Sequence, residues 1–216
     1  MLEVLKQKNA GIKVYSVFDE EFKSYGQVIN GLDVTEILNV ANEIPLPESG
    51  SAYVPTEPRF EKLAIADTIR NELFGTLPTQ IGYCWGHNTA MDATEWHTAT
   101  EINIAVTDVV LILGHRWEVK NDTIDSSAFK AFYAPKGTVL ECYATTLHYC
   151  PCQAQDGGFG WVVALPKDTN TKLEEPVTDK RIFAKNKWLY AHTDNQALIA
   201  KGAVPGITGV NHEIKY

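Results

Sequence analysis

The stretch ATEWHTATEINIAVTD, residues 93–108, decides how the rest of the sequence is interpreted, because it combines several ionisable side chains with the alternation of a β-strand. Successive side chains point to opposite faces of a strand. One face would carry Glu95, His97, Ala99, Glu101 and Asn103, and the other would carry Ile102, Ile104 and Val106. A buried strand with this much charge on one face indicates a metal site, a catalytic acid/base cluster or a solvated edge.

The segments around this stretch are typical of an all-β domain. After Gly75, short β-rich runs such as TQIGYCWGH, VVLILG, FKAFYAP and GWVVALP are separated by turn residues, without long helices between them. This series of short strands and turns predicts a β-barrel or β-sandwich over residues 76–166. The flanking parts are predicted as an N-terminal arm (1–57), a helix leading into the barrel (58–75) and a C-terminal extension that packs on the barrel (167–216), all within one compact unit.

Composition excludes several classes of protein. The 216 residues carry a formal net charge of −8, which disfavours nucleic acid and anionic membrane as partners, since both select basic surfaces. The sequence has no apolar run of the length that a membrane span needs. The N-terminus lacks a signal-peptide core, so a cytoplasmic location is expected. The four cysteines are then expected to be reduced and to serve as small apolar groups.

Two carboxylates and an imidazole facing a barrel interior are costly unless they are paired or bind a cation. Imidazole and carboxylate together suit Zn, Mn, Fe or Ni ions. His87, eight residues before Glu95, and His148, on a later predicted strand, are additional candidate ligands. Ordinary hydrogen-bonded histidines, or a polar barrel face with simple ion pairs, remain alternatives at this point.

Two segments resemble the two-part signature of the cupin superfamily. In EWHTATEINIAVTD the spacing reads Glu95-x-His97-x-x-x-Glu101, with Glu95 at the position of the usual first histidine. In FYAPKGTVLECYATTLHYCP, Pro135-x-Gly137 is present, and His148 comes later than the usual histidine position near Glu141. The later histidine is similar to the ureidoglycolate lyase-like branch of cupins, and the whole chain looks like a bacterial family grouped as a domain of unknown function.

The resemblance implies a mainly β fold, a double-stranded β-helix (cupin) barrel with a few short helices in the two arms. It also implies a divalent metal ion or a small polar metabolite, derived from carbohydrate, in the mouth of the barrel. Cupin barrels often pair through sheet edges, so a homodimer is expected.

On this basis, the chain is expected to be a metal-dependent enzyme that acts on a small sugar or sugar acid by isomerase, epimerase or lyase chemistry. The expected metal ligands are His97, Glu101, His148 and His87, with Glu95 as an alternative to His87. The expected proton carriers are Glu141 and Glu95. The expected aromatic wall for the substrate consists of Tyr83, Trp85 and Trp96.

Two other functions remain open: a non-catalytic cupin that binds or senses a small ligand, and a metal-dependent dioxygenase. His115, in a predicted turn after VVLILG, is expected at the surface. The segment NKWLYAHTD, which contains Lys187, Trp188 and His192, is interpreted as a strand that covers the barrel rather than as a second substrate-facing patch.

Overall fold

The structure, a computed structural model, describes residues 1–216 and consists mainly of short β-strands, as predicted. The N-terminal part contains α1 (Leu2–Lys8), β1 (Val14–Ser16), β2 (Gly26–Ile29), α2 (Thr35–Asn42), β3 (Ser51–Val54) and α3 (Ala64–Thr68). The central part contains β4 (Thr79–Gly86), β5 (Ala93–Trp96), β6 (Glu101–Ala105), β7 (Val109–His115), β8 (Ile124–Asp125), β9 (Lys130–Ala134), β10 (Val139–Cys142), β11 (Thr146–Leu147), β12 (Cys152–Gln153) and β13 (Phe159–Pro166). The C-terminal part contains β14 (Ile182–Ala184), β15 (Lys187–His192), α4 (Gln196–Ala200) and β16 (Val204–Thr208).

Two sheets form the barrel. The six-stranded sheet has the order β2-β10-β6-β13-β4-β3, and the five-stranded sheet has the order β1-β9-β7-β11 with β12 also on β7. A backbone bridge between Glu95 and His148 connects β5 to the second sheet. From β6 onwards the chain crosses repeatedly between these sheets, with β6, β10 and β13 in the first and β7, β9, β11 and β12 in the second. This is the double-sheet jelly-roll arrangement that cupins share. The predicted double-stranded β-helix barrel is confirmed.

The N-terminal arm covers the outer face of the six-stranded sheet. Ile102 and Ile104 on β6 point out of the barrel into an apolar cluster. The arm contributes Ile37 to the same cluster, and the segment 58–75 that follows it contributes Phe60, Ile65, Ile69 and Phe74. Both faces of β6 are thereby buried, because its other face points into the barrel. Burying each large apolar side chain contributes on the order of 1.5–3 kcal/mol, so this arm is part of the stable core.

One part of the barrel interior is apolar. Its side chains come from both sheets and include Leu111, Leu113, Phe132, Leu140, Trp161 and Val163. Only every second residue of a strand points into the barrel. Because most of these inward positions carry apolar side chains, few are left for polar groups. Glu101 and Asn103 occupy such positions on β6, and both are buried.

The C-terminal extension pairs directly with the barrel. Its sheet has the order β14-β15-β16-β8, and β15 runs antiparallel to β5, with Leu189 opposite Glu95. A two-residue turn, Lys185–Asn186, joins β14 to β15, and Asn186 at its second position has a positive φ of 55°, which asparagine tolerates better than most residues. This pairing brings the turn beside the residues that follow β5.

Two local predictions differ from the structure. Residues 93–106 are not one strand, because the chain bends between β5 and β6, which belong to different sheets. The predicted helix at 58–75 is broken at Leu63, whose ψ of 149° is extended; a 3-10 turn (Phe60–Lys62) precedes it, and α3 and a π-helical turn (Ile69–Leu73) follow it. None of the helices has the length and apolar character that crossing a membrane demands.

Candidate metal centre

Three ionisable residues of the stretch 93–108, Glu95, His97 and Glu101, meet inside the barrel although they do not belong to one strand. Glu95 points inward from β5, His97 follows at the end of that strand, and Glu101 begins β6. His148 comes from the segment after β11, and its backbone exchanges hydrogen bonds with that of Glu95, at 2.6 and 3.0 Å. The bend between β5 and β6 therefore folds the polar cluster around one point.

The distances between the side chains are those of groups that face a common centre. Glu101 Oε2 lies 3.4 Å from His97 Nε2 and 3.4 Å from His148 Nε2. Glu95 Oε1 lies 3.7 Å from His97 Nε2. The ligand atoms of Glu95, His97 and His148 all lie within 4.8 Å of one another, a spacing that a bound metal ion would bridge. Each of these three residues is largely or fully buried.

The second nitrogen of each imidazole is already occupied. His97 Nδ1 donates to the carbonyl oxygen of Asn186 at 2.7 Å, and His148 Nδ1 donates to that of Thr146 at 3.1 Å. A carbonyl oxygen only accepts, so in each neutral ring Nδ1 carries the hydrogen and Nε2 presents a lone pair. Both Nε2 atoms are buried without a hydrogen-bond partner. Metal-binding histidines are oriented in this way, so the residues fit a divalent ion.

Both carboxylates are held by neighbouring groups. Asn103 Nδ2 donates to Glu101 Oε1 at 2.6 Å, which leaves Oε2 facing the two imidazoles. The ammonium group of Lys187 contacts Glu95 Oε2, so that Oε1 remains directed towards His97. Such outer contacts fix the orientation of metal ligands and are typical of metal sites.

The electrostatics of the cluster favour a bound cation. Burial alone would raise the pKa of the Glu101 carboxyl, but His148 and His97 hold it well below its usual range. Burial alone would lower the pKa of His148, whereas Cys142 and Glu101 raise it above the ordinary histidine value. The cluster therefore stabilises positive charge beside the Glu101 carboxylate, and a divalent ion would supply that charge in place of a proton on His148.

The cluster lies at one side of an internal cavity of about 190 Å³. Its polar lining includes Glu95, Glu101, Asn103, His148, Asn170 and Lys187, and its apolar lining includes Leu111, Leu113, Leu140, Trp161 and Val163. Cys84 and Cys150 also line it, with their sulfur atoms 3.9 Å apart. The contact with Cys150 and burial raise the pKa of the Cys84 thiol, so Cys84 is a poor nucleophile.

Several residues predicted for the site lie elsewhere. Tyr83 and Trp85 stack on each other at 5.0 Å on the outer face of β4, against the N-terminal arm. Trp96 also points outward and stacks on Trp188. These positions follow from strand alternation, because the neighbours Cys84 and Glu95 face the cavity.

The other two candidates outside the cluster are His87 and Glu141. His87 follows β4 and does not line the cavity. Glu141 points away from the cavity, since its neighbour Cys142 faces inward. Its carboxylate accepts hydrogen bonds from Gln27 at 2.5 Å and Thr100 at 2.8 Å. Neither residue reaches the two imidazoles.

The C-terminal extension supplies site residues that sequence reasoning did not assign. Lys187 begins β15, Asn186 lies in the preceding turn, and Asn170 lies in the loop after β13. The sequence feature that could have pointed to Lys187 is its position at the start of the apolar run WLYA. In the structure its side chain is 15% exposed. The pairing of β15 with β5 was needed to place it beside Glu95.

Comparisons with solved structures find distant similarity to oxalate decarboxylase and oxalate oxidase. A point mutant of Bacillus subtilis oxalate decarboxylase is 11% identical, with a TM-score of 0.35, over 66% of this chain and 32% of that one. Oxalate oxidase in complex with the substrate analogue glycolate is 15% identical, with a TM-score of 0.36, over 56% of this chain and 52% of that one. The chain thus corresponds to about a third to a half of those proteins.

No curated protein matches the sequence. One family model does match, and it extends from residue 14 to residue 212, so that it includes the barrel, most of both arms and every residue of the metal cluster. The chain therefore belongs to the family described as Domain of unknown function (DUF4867).

Proposed function

We propose that this protein is a metal-dependent enzyme that moves a proton next to a carbonyl group of a small substrate. The observation that carries the proposal is the convergence of two buried, unpartnered Nε2 atoms, of His97 and His148, on Glu101 Oε2 at 3.4 Å beside an internal cavity. A divalent ion bound there would polarise a carbonyl or hydroxyl group and make an adjacent C–H bond more acidic.

His97, His148 and Glu101 are the ligands in this proposal. Their nitrogen and oxygen atoms suit Zn, Mn, Fe or Ni. Glu95 is the nearest remaining carboxylate, and its Oε1 lies 3.7 Å from His97 Nε2. Of the two proposed proton carriers, Glu95 faces the cavity and Glu141 does not. Glu95 therefore takes the proton, while Lys187 holds its other oxygen.

The proposed substrate is of the sugar or sugar-acid type, and the proposed reaction is that of an isomerase, an epimerase or a lyase. The small cavity and its cluster of hydrogen-bonding groups at one side support a compact oxygenated molecule. A relationship to the ureidoglycolate lyase-like branch rests on the position of His148 in the segment SAFKAFYAPKGTVLECYATTLHYCP and would favour a lyase.

The experiment compares two carboxylate variants of equal size. Purified protein is treated with chelator, reloaded with Mn(II) and analysed for metal content, alongside Glu101→Gln and Glu95→Gln. We expect about one ion per chain in the wild type and in Glu95→Gln, and a marked loss in Glu101→Gln. Proton abstraction is then followed by ¹H NMR in D₂O, as deuterium incorporation next to the carbonyl of aldoses, ketoses and sugar acids.

Deuterium incorporation by the wild type and its loss in metal-loaded Glu95→Gln would support the assignment. A wild type without stoichiometric metal after reloading would contradict the whole proposal. Loss of metal from Glu95→Gln would contradict the division of roles between the carboxylates. Tight binding of a sugar or sugar acid without any exchange would instead identify a sensor or binding protein.

One observation favours a second candidate, a metal-dependent dioxygenase. Two histidines and one carboxylate, with open positions facing a cavity, are the ligand set of non-haem Fe(II) oxygenases. Iron as the preferred metal, together with oxygen consumption in an oxygen-electrode assay, would select this function over proton transfer.

A further inference from the structure

The cavity beside the metal cluster has features that restrict its occupant beyond the requirement for a carbonyl group. They are a buried ammonium group, an amide oxygen without a partner and a set of hydrocarbon walls. In the proposed function none of these three is a metal ligand. They therefore bear on which molecule the proposed enzyme accepts.

Lys187 is the cation of the cavity lining. Its side chain is 15% exposed, and its ammonium group contacts Glu95 Oε2 and lies 5.8 Å from the centre of the Tyr149 ring. An ammonium group has three donors. Its ion pair is with Glu95, so hydrogen-bonding capacity remains on an ammonium group that lines the cavity.

The charges around the filled site leave an excess of one positive charge. Glu95 and Glu101 contribute two negative charges, Lys187 contributes one positive charge, and a divalent ion would add two. In a buried site with a low effective dielectric constant, such an excess is stabilised by an anionic ligand. The charge balance matches a ligand with a single negative charge.

The rest of the lining limits how many hydroxyl groups the ligand carries. Twelve of the 20 residues that line the cavity are hydrophobic, and a polyol would leave several hydroxyl groups against them without partners. Asn170 offers one additional acceptor, because its Oδ1 is buried and unpartnered while its Nδ2 donates to Tyr53 at 2.9 Å. The lining therefore matches one or two polar groups besides the anion.

We infer that the substrate is a short hydroxy or oxo acid with one carboxylate, bound at Lys187, and with a largely hydrocarbon remainder against the apolar walls. The inference rests on the proposed function and narrows it to the least oxygenated members of the sugar-acid class. Lys187 is then a binding residue that selects the acid over uncharged carbonyl compounds.

The test measures binding, not turnover. Mn(II)-loaded wild type, Lys187→Gln and Lys187→Arg are titrated calorimetrically with 2-hydroxybutanoate, its uncharged amide 2-hydroxybutanamide, and the polyhydroxy acid gluconate. We expect the wild type to prefer 2-hydroxybutanoate over both other compounds. Lys187→Gln should bind the acid about 10–100-fold more weakly and the amide unchanged, because one charge-assisted hydrogen bond is lost. Lys187→Arg keeps the charge and should retain the acid within a few-fold.

Three outcomes would overturn the inference: no binding of 2-hydroxybutanoate by the wild type, tighter binding of gluconate, or equal losses of acid and amide in Lys187→Gln. The last outcome would indicate that Lys187 only neutralises Glu95. Metal content and melting temperature of each variant are measured in parallel. Full metal occupancy without acid binding contradicts this inference alone, whereas absence of metal contradicts the proposed function.

Discussion

His97 and His148 show how a single hydrogen bond gives a side chain its chemical role. Each ring donates through Nδ1 to a backbone carbonyl, and each therefore presents its Nε2 lone pair to the common centre beside Glu101 Oε2. His87, which the sequence made an equal candidate, follows β4 and lies outside this cluster. The residue type is the same in all three cases, so the difference is one of position in the fold.

Replacing His97 by Ala removes one ligand and should weaken binding of Mn(II) or Zn(II) by more than about 100-fold, because loss of a partner behind a ligand already costs about 10–100-fold. The matched control is His87→Ala, which should keep the affinity of the wild type. Isothermal titration calorimetry with each metal measures both variants. Equal losses in the two variants would place His87 in the site and contradict the assignment.

At the scale of elements, the bend between β5 and β6 is what creates the cluster. A continuous strand would have spread Glu95 and Glu101 about 20 Å apart, at about 3.3 Å per residue. The alternation read from the sequence was correct for β6, where Glu101 and Asn103 share one face and Ile102 and Ile104 the other. It failed across Thr98–Thr100, because the sequence carries no strong turn signal there.

His115, the last residue of β7, lies in a different environment from the one that the sequence predicted. His115 was expected at the surface, but it is buried between the rings of Tyr25 and Trp117, at 3.9 and 4.1 Å. Its Nε2 lies 3.1 Å from Ser24 Oγ, and its Nδ1 lies 3.5 Å from Glu118. Burial lowers the pKa of His115; Glu118 opposes this effect and Lys130 adds to it.

A lowered pKa makes this part of the fold sensitive to acid. The unfolded chain binds the proton at a higher pH than the folded one, so the stability contributed by neutral His115 is present above about pH 6.5 and is lost as the pH falls through the folded pKa. We therefore expect His115→Phe to lose less thermal stability than the wild type between pH 7.5 and 5. Trp117→Phe keeps the imidazole and should follow the wild type. Parallel melting curves for all three would contradict the prediction.

At the scale of the whole molecule, both arms take part in the barrel. The N-terminal arm buries the outer face of the six-stranded sheet, and the C-terminal extension pairs with β5 and closes the side of the metal cluster. The predicted boundaries between the two arms and the barrel therefore divide segments that pack into one core. The homodimer expected from the resemblance stays a prediction.

Metal binding should stabilise this whole unit, because its ligands come from β5, β6 and the segment after β11, which are brought together only in the folded state. An ion at 100 times its dissociation constant contributes about 2.7 kcal/mol, which corresponds to a rise in Tm of about 5–10 °C for a chain of this size. Differential scanning calorimetry with metal and with chelator measures the shift. His97→Ala should show little shift, and an equal rise in that variant would indicate binding elsewhere.

The sequence by itself determined the mainly β class, and it singled out Glu95, His97, Glu101 and His148 as candidate residues of one site. The class follows from short strand-like runs separated by turn residues, and the candidates follow from residue types that need a partner or a cation when buried. Only the tertiary structure decided that Tyr83, Trp85 and Glu141 face outward and that Lys187 and Asn186 complete the site. The contact of His97 with Asn186 spans 89 positions, and such contacts arise from strand pairing between distant segments, which local patterns do not encode.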